Sequence, residues 1–119
     1  MVTRSTSFGP TASVADTKTP IGSAYTFATS GRIAKIRVNG YQGVTDKAQN
    51  GILILDFKRL AGPFEFAVMA ANTEVTVGGS HPTEEIDVDI PYSNGEVITV
   101  SLTTAEALEE CTVSITMVE

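Results

Sequence analysis

From Ile21 onward, apolar residues recur at every second position, and the runs are separated by short clusters of Gly, Pro, Asn and Asp. A side-chain period of two is the mark of a strand with one buried face. Ile21, Tyr25 and Phe27 alternate. Ala34, Ile36 and Val38 fall on one face, and Lys35 and Arg37 on the other, with Asn39-Gly40 read as a turn. Ile52-Leu53-Ile54-Leu55 is apolar on both faces, which predicts a central strand covered on both sides. Ala61-Gly62-Pro63 breaks it, and Phe64, Phe66 and Val68 then alternate with Glu65 and Ala67. Val75 and Val77 suggest a short strand ended by Gly78-Gly79. Ile86, Val88 and Ile90 alternate with Glu85, Asp87 and Asp89 until Pro91, and Asn94-Gly95 turns the chain. Val97–Leu102 is rich in β-branched residues, and Val113, Ile115 and Met117 alternate with Thr112, Ser114 and Thr116.

About eight short strands with regularly spaced turn signals predict an all-β, antiparallel two-sheet sandwich. Without a Trp or a Cys pair, an immunoglobulin-type sandwich lacks support. A jelly-roll-like order fits better, with long connections at 39–51 and 78–84 serving as crossovers. The sole helical candidate is one turn at Ala105–Glu110, with Thr103 and Glu106 spaced as a capping box. Residues 1–20 stand apart. They are rich in Ser, Thr, Ala, Gly and Pro and show no period. They read as a flexible or extended N-terminal arm ahead of a sandwich domain at 21–119, with Phe8 and Val14 as anchors on a neighbouring subunit.

Composition narrows the function more than it names one. A chain of 119 residues builds one domain. A single cysteine, Cys111, excludes an internal disulfide and a cysteine-based zinc site. A single histidine, His81, leaves little for triad or metal-hydrolase chemistry, and Ser80-His81-Pro82 lacks a nucleophile-elbow spacing. Gly78-Gly79-Ser80 is not followed by the lysine of a phosphate loop. Cys111 follows Glu109 and Glu110, whose charges disfavour a thiolate, so it reads as a small packing residue. The chain is therefore read as no enzyme, with no resident cofactor.

The net charge of −6 disfavours nucleic acid and anionic membrane as partners. Its distribution is uneven. Before Gly62 there are eight bases and three acids, a net +5; from Gly62 on there are eleven acids and no base, a net −11. Basic strands pair beside acidic ones within one sandwich, or a basic face of one subunit meets an acidic face of the next, and both can hold at once. Arg32, Lys35 and Arg37 are the basic side of that pairing. Glu85, Asp87 and Asp89 are the acidic side, with carboxylates on one face of a strand at intervals of about 6.6 Å. The same three are the candidate calcium ligands, against the plainer reading of a solvated or edge-protecting face. Tyr41 and Tyr92 lie in predicted loops, where an aromatic ring could stack on a sugar, so a carbohydrate-binding module is the alternative function.

No stretch approaches the ~20 apolar residues of a membrane span, and the first residues form no secretory signal, so cytoplasmic synthesis is expected. In overall plan the chain, an arm followed by Ile21–Glu119, resembles the single jelly-roll subunits of virus shells, vertices and decoration proteins. That resemblance implies a structural, self-assembling role, with the arm's contacts falling on residues 1–20. It also implies partners among copies of the chain and other shell proteins, and a place in the virion or on a particle surface.

Overall fold

The strong alternation of β-branched and apolar residues becomes nine strands in two sheets that enclose one core. The computed structural model describes residues 2–41, 47–59, 62–75, 84–104, 107 and 110–119. The strands are β1 (Thr3–Thr11), β2 (Thr19–Pro20), β3 (Tyr25–Thr26), β4 (Gly31–Tyr41), β5 (Lys47–Arg59), β6 (Gly62–Val75), β7 (Glu84–Tyr92), β8 (Val97–Thr104) and β9 (Glu110–Val118). One sheet has the order β1-β9-β4-β7. The other has the order β2-β8-β5-β6, with β3 also paired to β8. All these ladders are antiparallel.

The partnerships are nested. With β2 and β3 taken as one interrupted strand, the outermost pair is β1 with β9, then β2/β3 with β8, β4 with β7, and β5 with β6. This is a long antiparallel hairpin rolled onto itself, the jelly-roll order. Each sheet thus combines strands distant in sequence, as the alternating pattern required but could not specify.

The inward set of each strand builds the core. Cys111, Val113, Ile115 and Met117 of β9 are fully buried, as are Ile33, Ile36 and Val38 of β4. Leu53, Leu55 and Phe57 of β5 and Ile98, Val100 and Leu102 of β8 meet them from the other sheet. At one end the aromatic rings stack: Phe27 lies 3.9 Å from Tyr92 and 6.2 Å from Phe57, centroid to centroid, with Tyr25 edge-on to Phe27.

Several sequence expectations are corrected. Residues 1–20 are not an arm apart from the sandwich. β1 pairs with β9 from Thr3↔Val118 to Phe8↔Val113, and Phe8 is 3% exposed. The chain then crosses to the other sheet, where the Asp16 amide donates to the Thr104 carbonyl (2.7 Å) and Thr19 and Pro20 pair with Leu102 and Ser101. A segment without a hydrophobic period still becomes a strand when a neighbour supplies its backbone hydrogen bonds and one aromatic side chain reaches the core. Its register slips at Gly9-Pro10, where Gly9 has φ +96° and a Cβ would collide with the Cys111 carbonyl oxygen. Only glycine serves there.

Asn39-Gly40 is not a turn; both residues continue β4, opposite Thr112 and Cys111. Within the expected connection at 39–51, residues 39–41 belong to β4 and 47–51 to β5, and 42–46 lie outside the described residues. In β4 the buried residue is Ile33 rather than Ala34, because a register shift between Ile33 and Lys35 resets the alternation. Unbroken alternation back from Ile36 would put Arg32 in the core, and the bulge turns it outward. Pro91 does not end its strand. β7 is an edge strand and tolerates a residue without an amide proton, so it runs on to Tyr92. β6 is one strand of 14 residues that includes Val75. The crossover at 78–84, Val77 and most of the helical turn at Ala105–Glu110 lie outside the described residues, while Thr103 belongs to β8.

Candidate interaction surfaces

A sandwich offers two outer faces and the edges of its sheets. The outer face of the four-stranded sheet is mostly polar at its described positions, with Val118 and Pro91 beside Arg32 at one end as apolar exceptions. β1 gives Ser5 and Ser7, beside Thr116 and Ser114 of β9. β4 gives Arg32, Lys35 and Arg37, and β7 gives Glu85, Asp87 and Asp89. Because β4 and β7 are antiparallel neighbours, Lys35 stands opposite Asp87 and Arg37 opposite Glu85. The Arg37 guanidinium reaches Glu85 at 2.8 Å, Lys35 lies 3.5 Å from Glu85 and 3.8 Å from Asp87, and Arg32 pairs with Asp89. The hydrogen bond and charge of Arg32 hold the Asp89 carboxyl below its ordinary pKa, and Asp89 raises that of Arg32.

The basic and acidic halves of the sequence thus meet within one chain along this ladder. That assigns intrachain partners to both residue sets singled out in the sequence. The carboxylates of Glu85, Asp87 and Asp89 point at cations, not at one another. Among the described residues, no group of three His, Cys, Asp or Glu side chains is placed to hold a metal ion. A shallow depression of about 230 Å³ on this face is lined by Ser7, Arg37, Asn39, Thr112 and Ser114.

The outer face of the five-stranded sheet differs. Its central strand β5 turns Leu53, Leu55 and Phe57 inward and Ile52, Ile54, Asp56 and Lys58 outward. In register, Ile54 lies between Ser101 and Ala67, and Ile52 between Thr103 and Met69. Ile52 is 43% exposed and Ile54 is half-buried, so the covering expected on both sides of this strand is incomplete on the outer side at Ile52. Near one end, Lys18 reaches over to Asp56 (2.9 Å) and Glu65 (3.6 Å), and these bonds raise the lysine's pKa. A depression of about 310 Å³ lies between Val97, Lys58 and Pro63, which are neighbours in register, with Ala24, Asp56 and Thr99 around it.

The remaining sequence candidates are placed as follows. Phe8 belongs to this chain's own core and is withdrawn as an anchor for a neighbour, whereas Val14 is 56% exposed. Tyr92 is a core residue of β7, not a loop platform for a sugar; its hydroxyl donates to Glu119 (3.1 Å). Burial and the Glu119 carboxylate push its pKa up to about 12. Tyr41 ends β4 rather than lying in a loop. Burial raises the Cys111 thiol's pKa, which keeps it protonated and unreactive, although Ser13 opposes the shift. His81 and Gly78-Gly79-Ser80 lie outside the described residues.

Sequence reasoning missed the clasp at Glu119. Its carboxylate accepts from Thr29 and Tyr92 and pairs with Arg4. No periodicity marks such a residue, since its partners come from three distant segments. Compared with known protein families, curated proteins and solved structures, the chain matches none.

Proposed function

We propose that this chain is a non-enzymatic structural subunit that self-assembles, in a virus-like shell, vertex or surface assembly. Its partners on this reading are copies of itself and other shell proteins. The observation that carries the reading is the uneven protection of the sheet edges. β7 presents a charged ladder, β2 and β3 have two residues each, and β1 is interrupted at Gly9-Pro10. β6 is different. It is the longest strand among the described residues, has 14 residues, lies at the edge of its sheet, and carries only Glu65 and Glu74 as charges. A long, weakly charged edge is a template for pairing with another chain. The nested strand order adds the architecture implied by the resemblance, and fold alone does not decide function.

The test is the particle mass of the full-length protein, measured by light scattering after size exclusion over a range of concentrations and at low and high salt. A discrete multiple of the 12.5 kDa chain is expected. A monomer under every condition would remove the self-assembly reading.

A further inference from the structure

We infer that the outer face of the five-stranded sheet is a contact between two copies of this chain, stacked face to face with their β5 strands antiparallel. The inference rests on the self-assembly reading and names the surface. A solvent-facing central strand carries polar outward residues, as β4 does with Arg32, Lys35 and Arg37. β5 instead carries Ile52 and Ile54 outward, and Ile52 is 43% exposed.

The shape of the face selects a second copy as the occupant. Among its described residues the face has an exposed apolar projection, Ile52, and a depression of about 310 Å³ bordered by Ala24, Val97 and Pro63 beside Phe57 and Lys58. Ile52 and Phe57 are five residues apart on one strand, about 17 Å at 3.4 Å per residue. A twofold axis lying between the two faces and crossing β5 near Ile54 exchanges the two ends of the strand. Each Ile52 then meets the other copy's depression, and both contacts form at once, as an isologous interface requires.

Charge agrees. The chain carries −6, so two copies repel on most approaches. The outward charges on the described part of this face are Lys18 and Lys58 against Asp56 and Glu65, a net of zero. The region shared by β8, β5 and β6, with β2 and β3, measures roughly 27 by 19 Å, or about 500 Å² in projection. The β5–β6 ladder extends it beyond Gly51 to Lys47. A stable interface takes about 800 Å² of accessible surface per partner, so the proposed contact needs the whole face, including the β5–β6 extension.

The experiment measures the mass of the full chain against concentration for wild type, Ile52→Glu, Ile52→Thr and Ser114→Glu. A parallel arm applies mild oxidation to Ile54→Cys and Ser114→Cys. Cys111 is buried and does not compete. The wild type is expected to associate. Ile52→Glu should weaken association at least tenfold, Ile52→Thr less, and Ser114→Glu, on the other face, should leave it unchanged. Ile54→Cys, beside the axis, should give a disulfide-linked pair where Ser114→Cys does not. Far-UV circular dichroism checks that every variant folds. An oligomer that survives Ile52→Glu, with no cross-link through Ile54→Cys, overturns this face while leaving self-assembly intact. A wild type that is monomeric at all concentrations overturns both.

Discussion

The two outer faces are built on the same alternation and treat water differently. On the four-stranded sheet, the outward residues of β1, β9, β4 and β7 are mostly hydroxyls, bases and acids, with Val118 and Pro91 at one end. The charged ones are matched across the β4–β7 ladder from Arg32–Asp89 to Arg37–Glu85. On the five-stranded sheet the central strand turns Ile52 and Ile54 outward, and its outward charges gather toward one end around Lys18, Asp56 and Glu65. The inner faces are equally apolar. A period of two therefore tells which side of a strand is buried in its own sandwich, and the character of the opposite side tells what waits there. A polar ladder is solvated by water, whereas Ile52 is the exposed apolar residue on which the proposed contact with a second copy rests.

The largest expected effects lie on the inward side, where both sheets behave alike. Phe8→Ala should cost about 3–5 kcal/mol in chemical denaturation, because it removes a buried ring from β1. Val14→Ala, at a 56% exposed position nearby, should stay within about 0.5 kcal/mol. Equal effects would restore the idea of a detached arm. Along β5 the comparison sharpens to neighbouring residues of one strand. Leu55→Ala should cost about 2–5 kcal/mol, while Ile52→Thr should change monomer stability by less than about 1 kcal/mol. A large loss from Ile52→Thr in dilute monomer would mean that this face is already covered within the chain.

Smaller effects come from the polar contacts. Tyr92→Phe removes the hydroxyl bond to Glu119 and should cost about 0.5–1.5 kcal/mol. It should also flatten the alkaline limb of the stability curve. The folded pKa of Tyr92 is raised to about 12, so its contribution is complete below the ordinary value near 10 and is lost as pH rises from there through about 12. Thermal melts of both proteins between pH 8 and 12 check this.

The ion-pair ladder should matter least to stability. Asp89→Asn should lower the melting temperature slightly at low salt, and by less at high salt, since the pair with Arg32 is exposed. The carboxyls of Asp89 and Glu119 both have lowered pKa values. Their contribution is therefore present above the ordinary carboxylate range near pH 4 and is lost as pH falls through the folded values. Melting curves from pH 7 to pH 2 should drop below about pH 4, and less steeply in Asp89→Asn. A ladder whose removal costs as much as Leu55→Ala would not be the solvated face described.

The sequence by itself determined the all-β class, the inward rows of β7 and β9, and the turn at Asn94-Gly95. Each rests on a local rule: side-chain alternation along a strand, or the backbone freedom of a glycine. It also placed Arg32, Lys35 and Arg37 against Glu85, Asp87 and Asp89 as one of two readings, because opposite charges on alternating positions suit neighbouring strands. Tertiary structure alone showed these residues paired within one chain, since that depends on which distant strands become neighbours. It alone made Thr3–Thr11 a strand, through hydrogen bonds supplied by β9 more than a hundred residues away. It moved Tyr92 from a loop to a stacked core position, and it left Ile52 uncovered beside a buried Leu53. Local pattern assigns a side chain to one side of its strand, and whether that side meets core, water or another molecule depends on the assembled sheets.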